Sequence, residues 1–425
     1  MTMTNHIGPI PASVPVHSGV AKVAGRFEMP LAAAVVFLSP FNVIRVPGVY
    51  LTASDICVLV ALFVLIITGR LTLAPFGRFS TIWYGGFLAL AGGLLIGSIA
   101  NQRLVEGAEV LAQYFFAMVI VPMVITRRSI DECHTLIGIF ALSMCVASLH
   151  GIYLIEFATN PPLNFVSISG RLRGVVERSN EAAALGAMAL VAVLYLGAER
   201  QIRRTIVLPA AAVILYGIFL TASNTGLFAA GIGAAVYTAL QRTRRHIGNM
   251  LLLVAMGVLV IAVFGTDILP ASFMNRVAGA LTSADLSQAG SFDGRMELVQ
   301  EGWDKAADHL FIGIGADGYR YISRFDQPVH NTYVLMLVEG GALSLAGLVM
   351  MFAGTAMLGI ARTLYRPTRN RGAFVLAMAL ICLLVLNAFA HVFARFWIVP
   401  VVLVIALAVS GSDYPHGRST PARKD

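Results

Sequence analysis

Stretches of about twenty residues with scarcely a charge recur along this chain, and that is the length a helix needs to cross the hydrocarbon of a bilayer. Candidates fall near residues 29–45, 49–69, 82–100, 106–125, 134–156, 181–198, 205–221, 225–240, 248–266, 331–361, 373–391 and 395–411. In lipid every backbone polar group must be paired within the protein, so such spans are helices. The expected fold class is an all-α integral membrane protein with about twelve transmembrane helices and one long, partly helical periplasmic loop. Composition agrees: 58% of the 425 residues are hydrophobic and 12% charged, where soluble domains carry roughly 25% charged residues.

The expected organisation is a disordered cytoplasmic tail over residues 1–28, spans one to nine over 29–266, a periplasmic loop over 267–330, the last three spans over 331–411 and a second cytoplasmic tail over 412–425. No apolar segment with a cleavage site precedes the first span, so no signal peptide is expected. The net charge of +8 sits in short loops, which makes it a topology signal and not a nucleic-acid footprint. Arg70, Arg78, Arg127, Arg128, Arg200, Arg203, Arg204, Arg362, Arg366, Arg369 and Arg371 all fall on one side of the expected spans. By the positive-inside rule that side is the cytoplasm, and both termini join it. Of the four cysteines, Cys57, Cys145 and Cys382 fall in apolar runs and Cys133 in a cytoplasmic loop, so no disulfide is expected.

With this topology the ionisable residues of the spans (Asp55, Glu106, Glu109, His150, Glu156, Glu181, Glu339, His391 and Arg395) fall in the outer halves. A transporter would hold such groups at the midplane. An outer-half cluster points to a site open to the outer face, although span ends are also simply more polar than span centres.

Two outer loops break the charge rule. In "RLRGVVERSNEAAA" Arg171, Arg173 and Arg178 crowd together just before a span. The guanidinium fork suits phosphate, so a bound phosphate or diphosphate is one reading and lipid headgroups are the other. Ser179 or Asn180 is the expected N-cap there, with Glu181 in the first turn. In the second loop "GRMELVQEGWDKAADHL" spaces Met296, Val299, Trp303, Ala307 and Leu310 by three and four, with Glu297, Glu301, Lys305 and Asp308 opposite. This predicts an amphipathic helix, capped by Asp293, lying on the outer membrane surface or over a cavity. Arg295 falls in its first turn, where the helix dipole disfavours a cation, which hints at a ligand. His330 closes the loop beside Asn331. It is either a helix-end residue or a neutral imidazole that can take a proton from a hydroxyl. Glu339 could orient His330, though a helix puts it more than two turns deeper.

No metal-ligand spacing and no nucleophile elbow are present, and no cofactor is expected. An outer-facing site with arginines and one base suits a polyprenyl-diphosphate-linked glycan as donor. An acceptor hydroxyl would attack the anomeric carbon while the lipid diphosphate leaves.

"GRMELVQEGWDKAADHLFIGIGADGY" followed by "VHNTYVLMLVEGGALSLAGL", residues 294–348, resembles the O-antigen ligase and polymerase family. "RLRGVVERSNEAA" and "HVFARFW", which includes Arg395, extend the resemblance. It implies a metal-independent, inverting glycosyltransferase of the bacterial inner membrane that uses an undecaprenyl-diphosphate glycan donor. It also implies catalytic roles for His330 and Arg295, diphosphate binding by Arg171 and Arg173, and lipid A–core or a growing polysaccharide as acceptor. Ligase is the first reading and repeat-unit polymerase, for O-antigen or exopolysaccharide, the alternative; a lipid-linked sugar transporter ranks below both. "LTASNTG" puts Asn224 where the family often has an arginine.

Overall fold

The computed structural model describes residues 18–46, 51–241, 292–390 and 395–410. Every regular element among them is helical: α1 Ser18–Leu38, α2 Ala53–Ile67, α3 Phe79–Ala100, α4 Leu104–Phe115, α5 Ile130–Glu156, α6 Ser179–Ala198, α7 Arg204–Leu220, α8 Asn224–Gln241, α9 Phe292–Asp308, α10 Tyr319–Ile322, α11 Thr332–Leu364, α12 Arg369–Val385 and α13 Arg395–Val409. α4 continues through a π-helical turn to Ile125. Among the described residues six helices are long and apolar enough to cross a membrane: α3, α4 with its extension, α5, α6, α11 and α12. α2, α7 and most of α13 are shorter apolar helices. The expected count of about twelve is not confirmed by these six and the three shorter apolar helices among the described residues, and the candidate at 248–266 lies outside the described residues. The first helix begins at Ser18, within the expected tail. Cys133 lies in the first turn of α5, buried, and not in a loop.

α3 and α11 run antiparallel and touch through small residues. The Ser344 hydroxyl donates to the Leu90 carbonyl at 2.7 Å. A Cβ at Gly86 would stand 2.8 Å from the Gly347 carbonyl, and one at Gly97 would stand 2.8 Å from that of Glu339. Apolar side chains have no hydrophobic reason to leave lipid for one another, so close backbone approach at glycine and serine is what lets dispersion hold two membrane helices together.

α11 is not the single span expected over 331–361. Gly341 has φ 68° and ψ −172°, which breaks the helix after Gly340. Only glycine adopts this backbone without strain. In an unbroken helix the Val338 carbonyl would receive the Ala342 amide. Instead Ala342 N–H donates to the Leu310 carbonyl at 2.7 Å, while Ile314 N–H donates to Val338 and Gly315 N–H to Glu339, each at 2.9 Å. The "FIGIGA" segment thus enters between α3 and α11 and replaces the missing ladder. Ala316 N–H then donates to Ser98 Oγ at 3.0 Å and Asn101 Nδ2 to the Gly313 carbonyl at 3.0 Å, so α3 is fastened to the same segment.

Gly341→Ala forces a strained backbone and sets a Cβ 2.7 Å from the Phe311 carbonyl. It is expected to lower stability by about 1–3 kcal/mol. Gly231, mid-helix with open space around it, is the control: its alanine variant should be neutral or stabilising by up to about 1 kcal/mol. Thermal midpoints of the two detergent-purified variants check this, and equal shifts would contradict it.

Candidate functional site

The polar side chains converge at the end of the bundle where α3 stops, α6 and α11 begin, and α9 and α10 lie across. α9 owes its seat to Gly302. A Cβ there would stand 2.8 Å from Val329 and 2.9 Å from Val334, so the helix rests directly on the chain that carries His330 into α11. The buried face of α9 is Leu298, Glu301, Gly302 and Ala306. The sequence pattern had chosen the other stripe: Met296 is 50% exposed, Trp303 61% and Leu310 42%. Gly302 mid-helix, between Leu298 and Ala306 at spacings of four, was the sign of the true packing face. The side chain of the proposed cap Asp293 lies outside the described residues.

Glu301, read from the sequence as solvated, is a buried hub. Its carboxylate accepts from Tyr319 Oη and Ser323 Oγ at 2.9 Å, from Arg324 N at 3.0 Å and from Arg324 Nε at 3.3 Å. Burial alone would raise its pKa, but these donors outweigh burial and hold it below the usual glutamate value. From the other side Glu339, fully buried, accepts the Tyr319 amide at 3.3 Å. Glu339 therefore supports the turn into α10. Two buried carboxylates hold residues 319–324 between them, and Tyr319 Oη donates also to the Leu298 carbonyl at 3.2 Å.

His330 is half-buried. Burial, then the positive charges of Arg295 and Arg178, push its pKa below the ordinary 6.5. The fold thus brings His330, Arg295 and Arg178, far apart in sequence, within electrostatic range of one another. Asn331 is the N-cap of α11: its side-chain oxygen accepts from Tyr333 N at 3.0 Å and Val334 N at 3.2 Å. Its amide also reaches Asn387 Oδ1 at 3.4 Å, and the neighbouring Thr332 Oγ1 donates to the Phe389 carbonyl at 2.9 Å. These bonds fix the backbone on which His330 stands.

The arginine loop has a different internal division of work from the one expected. Arg171 Nε donates to the Thr221 carbonyl at 2.9 Å and Nη2 to Asn180 Oδ1 at 3.1 Å, so part of its fork ties the loop to the α7–α8 turn. Arg173 is exposed, with Nη1 3.4 Å from the Leu163 carbonyl. Arg178, and neither Ser179 nor Asn180, is the N-cap residue of α6, and it pairs with Glu181 at 3.3 Å while 70% of its side chain is exposed. Asn224 is exposed at the start of α8, one turn from the Thr221 that Arg171 holds. The side chain of Arg395 and residues 391–394, with His391, lie outside the described residues.

Several ionisable residues of the outer cluster have local work. Asp55 closes a capping box with Thr52 at the start of α2, and Glu156 accepts from Tyr216 Oη at 2.8 Å. Glu177 holds Asn42 at 3.1 Å and Arg45 at 2.9 Å. Glu106 and Glu109 are exposed on the first turns of α4.

Removing the Glu301 acceptor strands buried donors at about 1–3 kcal/mol each. Glu301→Ala is therefore expected to strip amide-exchange protection from residues 319–324 while α3 and the second half of α11 keep theirs. Glu301→Gln, which retains an acceptor, should fall between that variant and the wild type. Unchanged protection in Glu301→Ala would remove the hub role.

Residues 209–351 match the family model described as O-antigen ligase. The match includes α9, α10, His330 and the break in α11, and it supports membership of the O-antigen ligase/polymerase family. No curated protein matches the chain.

Proposed function

We propose that the chain is a glycosyltransferase of the bacterial inner membrane that moves a glycan from undecaprenyl diphosphate to an acceptor hydroxyl at the periplasmic face. Ligation to lipid A–core is the first reading, following the description of the matching family. The observation that carries the proposal is the setting of His330: half-buried, within electrostatic range of Arg295 and Arg178, with its pKa lowered by burial and by those charges.

A lowered pKa keeps the imidazole neutral near pH 7, with a lone pair free to receive a proton. His330 would take the proton of the acceptor hydroxyl as its oxygen bonds to the anomeric carbon. The bond from that carbon to the diphosphate oxygen breaks, and its electron pair leaves with the diphosphate. Attack from the face opposite the leaving group inverts the anomeric centre in this single displacement. Arg295 and the exposed Arg178 and Arg173 would meet the charge that develops on the diphosphate. Arg171, with Asn180 and the α7–α8 turn bearing Asn224, would hold that arginine loop in place. Asn331 would support the backbone around His330 and Glu339 the turn into α10. The same topology puts both termini in the cytoplasm.

General-base loss typically removes 10²–10⁴-fold of rate, so His330→Gln should lose about that much transfer with the protein still inserted. Near-normal transfer would overturn the assignment. Because Arg295 depresses the His330 pKa, Arg295→Gln should move the acid limb of the residual activity to higher pH; an unmoved or lowered limb would dissociate the two residues. In a deletion strain, undecaprenyl-linked polymer stored behind a bare core is the ligase outcome, whereas core carrying a single repeat unit would make the chain a polymerase.

A further inference from the structure

α3 is a ruler for depth in the membrane. Its 22 residues span about 33 Å, just over the hydrocarbon thickness of about 30 Å. Asn101, Gln102 and Arg103 follow it and mark the polar boundary. Arg103 stacks over Tyr321 at 4.4 Å, which puts α10 at that boundary.

The segment before α10 goes deeper. Gly340 packs against the backbone of Leu94, six residues before the end of α3 and so roughly 9 Å below it. Leu310 bonds to Ala342, and the Phe311 carbonyl lies against Gly341. Leu310 and Phe311 therefore lie below the polar boundary, and the chain climbs back through Gly313 to α10. The backbone of this excursion is satisfied by α3 and α11, as irregular backbone at membrane depth requires. Its side chains are not covered: Leu310 is 42% exposed, Phe311 83% and Ile312 52%. On α3, Ile96 at 48% and Ile99 at 55% are exposed over the same range of depth. Trp303, on the uncovered stripe of α9, is 61% exposed.

We infer that residues 310–312 form a re-entrant wedge whose side chains insert into the acyl chains of the adjoining leaflet, anchoring α9 to the bilayer with Trp303 at the interface. The occupant is bilayer lipid because the patch lies at hydrocarbon depth and adjoins the lipid-facing surface of α3. Charged or polar side chains would be expected there if water were the solvent; Phe311 and Ile312 leave none between His309 and Asp317. The wedge sets the height of α9, and hence of Arg295, above the membrane whatever reaction the site performs.

The test uses the full chain in lipid nanodiscs. Of the three tryptophans, Trp83 and Trp397 are buried and Trp303 is exposed, so Phe311→Trp and Ile312→Trp are made on a Trp303→Phe background, and the emission lost in Trp303→Phe alone reports on the native Trp303. The expected result is that phosphatidylcholine brominated on its acyl chains quenches most of the emission added at 311 and 312, while aqueous iodide leaves it. Quenching by iodide without quenching by the brominated lipid means water, and protection from both means a second copy or another segment of this chain. Either outcome overturns the wedge. The wedge can fail with transfer activity intact, and activity can fail with the wedge intact.

Discussion

Three backbone hydrogen bonds around Gly341 hold the rest of the architecture. A helix broken inside a membrane leaves carbonyls that lipid cannot satisfy. Here the Val338 and Glu339 carbonyls receive Ile314 and Gly315, and Ala342 finds Leu310. The break is therefore sustained by a segment that must lie alongside it, and that segment is satisfied only while the helix is broken. Each needs the other, which makes the junction an all-or-none feature and not a flexible kink.

From that junction the site follows by short mechanical steps. The returning chain delivers Tyr319, whose amide meets Glu339 and whose hydroxyl meets Glu301. Glu301 belongs to α9, so the same contacts that hold the turn also fix the helix bearing Arg295. Gly302 removes the side chain that would lift α9 from Val329, the neighbour of His330. Buried carboxylates are expensive unless fully bonded, and Glu301 has four donors, three of them on Ser323 and Arg324. The electrostatics of His330 are thus a consequence of packing several residues away.

The resemblance to known glycan ligases rested on residues 294–348, and the family match over 209–351 overlaps it. In that region and in the arginine loop that precedes it, the roles divide differently from a reading of motif residues alone. Asn331 is bound up in capping, and Glu339 in supporting a turn. Arg171 spends two donors on the protein itself. The groups with side chains left more open are Arg173 and Arg178.

The sequence by itself determined the solvent. Runs of apolar residues at membrane length admit only helices, and the positions of α2 to α8, α11 and α12 were legible because a span's hydrophobicity is a local property. So was the amphipathic helix near Trp303, and so was the candidacy of His330 and Arg295. What only the tertiary structure decided was which stripe of α9 is buried, that Gly341 breaks α11, and that Glu301 is a hub. The physical reason is common to all three. An apolar stripe looks the same whether it faces protein or lipid, and a glycine pair in a span can pack, bend or break. A carboxylate on a helix reads as solvated until its donors, eighteen or more residues away, are folded against it.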